Sequence, residues 1–420
     1  MTMNYTDHLS SILAPQKAVS DILVMGVGGA GGNAVNHMHD LGILGVSFMV
    51  CNTDRQALQR SPIEKKIQLG SGHGAGNNPE KGKNLAIESL DDIMLELDES
   101  KARMIFITAG LGGGTGTGAA PIIAKAARSK GLLTVSIVTL PFTTEGPKRM
   151  GQALKGLDEL KANSDSIVVI HNDNIAKIYG TLPVMEAFHK ADDVLATAAK
   201  GIAEMITRSD YINVDLEDVR TTLKESGIAV MGSSRCTGEG KVDRAVDEAL
   251  ASPLLDQRDI KGAREILFNL SWAESASFTM DDVWRVQNLI QARASLSAGR
   301  CEANVIFGAG ASSDLCDDEI ELTVIASRFE TTNRLNIPEE QTNNLNIKTE
   351  EEEEMGIKWE ITERYKDIET LLIEPAYFRR GRQLTGTTAK GTKAAVGELL
   401  NDEQSNKEVK KEDVKVGSLF

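Results

Sequence analysis

Two glycine clusters hold the residues best suited to chemistry, and each follows an apolar run and opens a helical pattern. The first reads Gly26, Val27, Gly28, Gly29, Ala30, Gly31, Gly32, Asn33. Glycines let backbone approach an anion, and the unpaired N–H groups and positive dipole end of a helix stabilise it. Gly26, Gly28 and Gly31 satisfy G-x-G-x-x-G, and Asp54 stands 23 residues after Gly31, as a dinucleotide-binding fold would require. Alone, this cluster is equally a phosphate site or a tight strand–helix turn. The second cluster, Gly110 to Gly118, packs six glycines and two threonines into nine residues. A turn needs one or two glycines; a run this dense is an anion nest with backbone N–H and threonine hydroxyl donors.

What surrounds the nests narrows the chemistry. No G-x-x-x-x-G-K-[ST] is present: Gly82-Lys83 is followed by Asn84, and Gly240-Lys241 by Val242. Without a lysine, the charge of a triphosphate must be offset by a metal ion, helix dipoles and backbone. The stretch Tyr211-Ile-Asn213-Val-Asp215-Leu-Glu217-Asp218-Val219 is a concentrated acidic feature. By itself it reads as Asp215 capping a helix, with acids in the first turn contributing ~0.3–1 kcal/mol against the dipole. Glu145 and Arg149, four apart, read alone as an exposed ion pair at a helix start. His37 and His39 are two apart and share no helical face, and no CxxC, H-E-x-x-H or G-x-S-x-G occurs. No metal ligand is assigned.

The elements that must position these groups alternate in type. Strands are expected at Ile22–Gly26, Val46–Asn52, Met104–Ala109, Thr134–Leu140 and Ser166–His171, separated by helices such as Gly31–Leu41, Glu80–Leu97 and Ala119–Lys130. That rhythm predicts an α/β fold with a doubly wound, Rossmann-like, mostly parallel sheet whose ligand binds beyond the carboxyl ends of the strands. A long helix is expected over Val184–Thr207, with Ala187, Val194, Ala198, Ile202 and Met205 on one face; it would run ~35 Å. A further helix (Leu216–Glu225), a strand (Ala229–Ser233), a helix (Arg244–Ala251) and strands at Glu265–Ser271, Ala303–Phe307 and Glu319–Ser327 suggest a second, smaller α+β domain.

Composition agrees with a globular α/β protein. The 420 residues are 41% hydrophobic and 25% charged, with 38 glycines and a net charge of −15, which argues against a basic nucleic-acid surface. No run is long and apolar enough for a membrane span, and the start lacks a signal-peptide pattern. Four cysteines without CxxC spacing suit a reducing compartment.

Two adjacent nests together with GGGTGTG form a specific combination, and the sequence resembles the tubulin/FtsZ family of GTPases over about residues 20–329. The likeness recurs at GVGGAGGN (26–33), NTD (52–54), GAGNNP (74–79), GGGTGTG (112–118), Glu145–Arg149, Asp193 and NVDLEDV (213–219). It implies a tubulin-like GTP-binding domain at 21–183, a core helix and catalytic loop at 184–227, and a C-terminal α+β domain at 228–329. GTP or GDP would be bound with Mg²⁺. The resemblance implies that Gly28, Gly29, Ala30, Gly31, Gly32 and Asn33 cradle phosphates with Gly112, Gly113, Gly114, Thr115, Gly116, Thr117 and Gly118. Ala75 and Gly76 would approach the γ-phosphate. Glu145 and Arg149 would contact the ribose and base side, Phe188 would pack on guanine unless it is simply core, and Asp193 would accept from guanine N1 and N2. Asn213, Asp215 and Asp218 would enter the nucleotide site of the next subunit and orient the attacking water. Asn77 stands where alanine is common in the family.

The resemblance also implies a head-to-tail homopolymer in the cytoplasm, forming the cytokinetic ring at mid-cell. Residues 1–20 read as a flexible tail. From Glu330 to Glu374 there are 13 acidic residues against 5 basic, too polar to fold. We read 330–370 as an acidic linker, 371–380 (LLIEPAYFRR) as a peptide docking membrane-tether and division-regulator proteins, and 381–420 as a tail. Neither nucleic-acid binding nor direct membrane insertion is expected. The alternatives are a Rossmann-type NAD(P) oxidoreductase, which leaves GGGTGTG and 213–219 without a role, and a plasmid-partitioning or cell-shape filament, against which the PAYFRR peptide argues.

Overall fold

A computed structural model describes residues 20–43, 45–174, 184–207, 211–251, 260–295 and 303–329, with side chains 184, 185 and 187–192 outside the description. The expected linker, docking peptide and tail, and Phe188's side chain, therefore lie outside the described residues. Elements run in this order: β1 (Ile22–Val27), α1 (Gly28–Asp40), β2 (Val46–Asn52), α2 (Arg55–Arg60), β3 (Lys65–Gln68), α3 (Pro79–Glu88), α4 (Leu90–Ser100), β4 (Met104–Gly110), α5 (Gly114–Ser129), β5 (Leu133–Leu140), a 3₁₀ turn (Thr143–Glu145), α6 (Pro147–Asn163) and β6 (Ser166–His171). There follow α7 (Val184–Thr207), α8 (Leu216–Leu223), β7 (Gly227–Thr237), α9 (Lys241–Leu250), β8 (Glu265–Ala273), α10 (Met280–Ala294), β9 (Asn304–Ser312) and β10 (Glu319–Ser327).

The strand order is β3-β2-β1-β4-β5-β6-β7-β10-β8-β9. From β3 to β6 every pairing is parallel. Of these, β1, β4 and β6 are apolar on both faces because helices cover both, so they read as near-continuous hydrophobic runs. Ile22, Val24, Met104, Phe106, Val135, Ile137, Val168 and Ile170 pack with Ala34, Val35 and Met38 of α1 and with Val194, Leu195, Ala198, Ile202 and Met205 of α7. Each large side chain so buried contributes ~1.5–3 kcal/mol of transfer free energy. α7 is thus a core helix, as expected, and Gly201 brings it against Met231 and Thr323 of the C-terminal lobe.

The C-terminal sheet is not separate. β7 pairs in parallel with β6 at Gly227–Ala229, then antiparallel with β10 from Val230 to Thr237. One eleven-residue strand serves both lobes, where five residues were expected. Val230, Phe268, Leu270, Ile320, Leu322 and Val324 then pack with Val246 and Val286 in a second core.

Three further departures have local causes. The helix expected over 80–97 breaks at Ser89, which leaves helical geometry and whose hydroxyl accepts from Gly70 N–H at 3.0 Å. α1 and α5 start at Gly28 and Gly114, because the nests themselves form the first helical turns. β3 (KKIQ) is a short edge strand with exposed lysines, a composition that protects sheet edges from pairing and hides the strand from pattern reading. Cys51 and Cys236 are buried, and burial pushes both thiols up, Cys236 to about 11, while Cys316 is exposed. All three are free thiols.

Candidate functional site

The strand order reverses between β1 and β4, and the two nests follow those two strands. Val27 is in register with Ala109, so Gly28 and Gly110 leave the sheet side by side, at the switch point where open α/β sheets bind ligands. A Cβ on Gly28, whose φ is +76°, would come within 3.0 Å of Gly116 N. One on Gly31 would lie 2.1 Å from the Thr108 carbonyl oxygen. The nests abut, and several of their glycines exist because backbone meets backbone.

Other glycines face open space. Nothing lies within 4 Å of a Cβ built on Gly29, Gly32 or Gly113. Ala30 and Asn33 are exposed, and neither α1 nor α5 has a side-chain cap on its first turn. A helix leaves its first N–H groups without intrahelical partners, so two positive helix ends open onto one crevice. Gly112, Gly114, Gly116 and Gly118 work differently: they fit against Arg149, against Ala75 and Asn78, against Gly110, and against Pro79 respectively. Thr117 is buried and its hydroxyl accepts from Gly112 N–H at 2.8 Å, so it shapes the loop from within. Thr115 Oγ1 is hydrogen-bonded to Thr53 Oγ1 at 2.7 Å, which brings the 52–54 segment to the same crevice.

Neighbouring loops close around it. Ala75 is buried under Gly114, while Gly76 and Asn77 are exposed. Asn77 has φ 59°, a left-handed conformation that asparagine tolerates better than alanine. Glu145 Oε1 accepts from Phe142 N–H at 2.9 Å, and Oε2 pairs with Arg149 across Gly146. The pair read as a helix-start interaction does form, and the closeness of Gly112 to Arg149 sets it at the rim of the second nest.

Asp193, on α7, meets His37 of α1: Nε2 and Oδ1 are 2.6 Å apart, with the side chains 26% and 34% exposed. Sequence reasoning discarded His37 after testing it only for metal binding. It also passed over Asn172, at the carboxyl end of β6, whose buried Oδ1 has no hydrogen-bond partner. Beside it, Asp173 accepts from Thr143 N–H at 3.0 Å. The expectation that ligands gather at carboxyl strand ends could have found both.

The acidic loop is elsewhere. Asp215 Oδ1 accepts from Glu217 N–H and Asp218 N–H at 2.8 and 2.9 Å, and Asp218 Oδ2 accepts from Asp215 N–H at 3.0 Å. This is a reciprocal capping box. Asn213 and Asp215 are exposed. Glu217 Oε1 is 2.6 Å from Arg103 Nη2, immediately before β4 begins. The acids thus sit by the amino end of the strand whose carboxyl end carries the second nest. Among the described residues no group of three or more His, Cys, Asp or Glu could hold a metal ion.

Comparison with known proteins settles the family. The family model described as Tubulin/FtsZ family, GTPase domain, matches residues 21–180, and FtsZ family, C-terminal domain, matches 227–330. The chain belongs to the tubulin/FtsZ family of GTPases. It is 41% identical over 334 residues to the cell division protein FtsZ of Porphyromonas gingivalis, covering 79% of this chain and 70% of that one. The FtsZ of Aquifex aeolicus is 44% identical over 313 residues, 73% of this chain and 83% of its own. A solved structure, an empty FtsZ dimer from M. jannaschii, superposes with a TM-score of 0.66 at 37% identity, over 78% of this chain and 92% of that one. As a family GTPase the protein binds GTP and GDP, which excludes the oxidoreductase reading. No helix among the described residues is long and apolar enough to cross a membrane.

Proposed function

We propose that this GTPase assembles head to tail into filaments that build the cytokinetic ring, and that each active site is completed across the contact between subunits. The observation carrying this reading is the opposition of the two chemical groups along β4. Nests open at its carboxyl end, and the acidic helix is fastened by Arg103 at its amino end. Seven strand residues at ~3.3 Å each separate them by about 23 Å, too far for Asp215 or Asp218 to act on a nucleotide held by the same chain. A second copy stacked end to end brings the groups together. Such a contact does not close on itself and so grows.

In this reading Gly29, Gly32 and Gly113 admit the phosphates, with Ala30, Asn33 and Thr115 beside them. Glu145 and Arg149 flank the ribose and Asp193 reads guanine. The glycine cradle fits a triphosphate because space for its oxygens is left where any Cβ would stand. Mg²⁺ fits as a cation carried mainly by phosphate oxygens, where it would offset charge that no lysine meets. Asp215 and Asp218 of the next copy, with Asn213, would orient a water and take its proton as its oxygen bonds to the γ-phosphorus, while the bond from that phosphorus to the β–γ bridging oxygen breaks and GDP leaves with that oxygen. The FtsZ relatives support the ring assignment, and the solved dimer supports self-association. Residues 371–380 would dock membrane tethers and regulators at mid-cell.

GTP turnover per subunit measured against protein concentration tests the reading. It should be near zero at low concentration and rise together with light scattering. Turnover independent of concentration would defeat the shared site.

A further inference from the structure

The 2.6 Å bond between His37 Nε2 and Asp193 Oδ1 serves neither the packing nor the phosphate end of the site. We propose that His37 is a positioning residue for base recognition, fixing the Asp193 carboxylate so that it receives guanine N1–H and the exocyclic N2–H together. The inference rests on the reading of Asp193 as the base-side acceptor.

Geometry carries it. An ionised carboxylate only accepts, so the contact requires the proton on His37 Nε2. His37 lies four residues beyond exposed Asn33 on α1, on the same helical face, and α1 begins in the first nest. One helix therefore carries both the phosphate end of the site and the support for its far end. Asp193 arrives from α7, 156 residues away in sequence. Two parallel donors on a purine edge demand a carboxylate held in one plane, and an aspartate free to rotate would lose that selection. With both side chains about a third or less exposed, the pair is sheltered enough to hold its geometry. A partly exposed polar pair contributes little to stability, so its removal should register in specificity before it registers in folding.

The test uses the full chain and the ratio of dissociation constants for ITP and GTP, measured by calorimetry. ITP lacks only the exocyclic 2-amino group, so damage to the nests or to folding cancels in the ratio. His37→Leu keeps apolar bulk but removes both ring nitrogens; His37→Gln can place an amide N–H near the Nε2 position. GTP should lead ITP by about tenfold or more in the parent protein, and His37→Leu should bring the ratio near one. His37→Gln should keep it within about threefold of the parent. Asp193→Ala should collapse the ratio, and adding His37→Leu to it should change nothing more. If Asp193→Ala collapses the ratio while His37→Leu leaves it intact, the positioning role is wrong and base reading by Asp193 stands. If Asp193→Ala leaves the ratio intact, both fail.

Discussion

Arg103 and Glu217 meet across the amino edge of the parallel sheet, Nη2 2.6 Å from Oε1, and Arg220 adds a bond to the Arg103 carbonyl at 3.4 Å. Both Arg103 and Glu217 side chains are at least half exposed, so the ion pair contributes little stability. Its meaning is positional: α8 is held beneath β4, at the opposite end from the glycine nests. α7 makes the same traverse, since a Cβ on Gly45, just before β2, would lie 2.4 Å from Thr207 Cγ2 at the helix's end.

The nests separate two kinds of glycine, and the difference is measurable. Gly113→Ala adds a methyl group to open space at an extended backbone position. It should leave the nucleotide-free melting temperature unchanged and weaken GTP about ten- to hundredfold, through lost charge-assisted hydrogen bonds. Gly116→Ala would place its Cβ 2.3 Å from the Gly110 carbonyl oxygen. It should lower the melting temperature of the nucleotide-free protein by several degrees, as overpacking of ~1–3 kcal/mol requires. Paired thermal melts and titrations decide; equal behaviour of the two variants would remove the distinction.

Much of this was legible in advance, for physical reasons. The inner parallel strands announced themselves because burial on both faces favours apolar runs, as in β1 and β4, while β5 buries Thr134, Ser136 and Thr139 among its apolar residues. The two glycine clusters stood out by their density, and the structure divides that density between positions of close packing, such as Gly31 and Gly116, and open positions, such as Gly29 and Gly113. What stayed hidden depended on tertiary contact. The sequence places His37 and Asp193 156 residues apart, and nothing in either segment names the other. α10 was missed although Thr279 and Asp282 form a capping box, a readable signal. β7's passage from the parallel to the antiparallel part of the sheet had no local signature, since each half looks like an ordinary strand. The Gly112–Thr117 hydrogen bond likewise shows that a threonine in a phosphate loop can serve the loop rather than the ligand.

An aromatic stack adjoins the acidic loop. Tyr211 is 84% exposed and stacks on Trp272 at 6.4 Å, which stacks on Phe278 at 5.0 Å. Ile212 is bonded to Ala309 in both directions, at 3.0 and 2.9 Å, so Tyr211 is presented from a fixed backbone. If this end meets the next subunit, Tyr211 is placed to be desolvated on assembly. Tyr211→Ala should bind GTP normally and raise the critical concentration about tenfold, the effect of losing a modest interface anchor. Sedimentation across a concentration series measures it; an unchanged threshold would put Tyr211 outside the contact.

Removal of the C-terminal region should leave the enzyme intact. Phe329 packs against the second core, so the cut belongs after Phe329 rather than before it. The shortened chain should melt, hydrolyse GTP and assemble like the parent, while losing recruitment to its tether in cells. The polar, acidic composition of 330–370 cannot bury enough apolar area to support the folded lobes. Lost assembly in the shortened chain would count against this division of labour.

The acidic helix allows hydrolysis to be separated from stability. Alanine at Asp215 would remove a cap worth about 1 kcal/mol as well as any catalytic role. The amide oxygen that Asp218→Asn introduces could still accept from the Asp215 N–H, which the Asp218 carboxylate now holds at 3.0 Å. Asp218→Asn should therefore fold, bind GTP and assemble, yet hydrolyse ~10²–10⁴ times more slowly, the usual contribution of positioned acid–base help. Gly113→Asp is its complement: a carboxylate in the open nest repels phosphate, while its own acidic loop stays whole. Each variant alone should be nearly inactive, one lacking chemistry and the other lacking nucleotide. In a mixture, GTP on an Asp218→Asn subunit can meet an intact Asp218 from a Gly113→Asp neighbour, so turnover should exceed the sum of the two. Sedimentation of the mixture with a fluorescent label on the Gly113→Asp chain verifies that both enter the same filaments. Co-assembly without any gain in turnover would mean that Asp218 acts on the nucleotide of its own chain, or not at all.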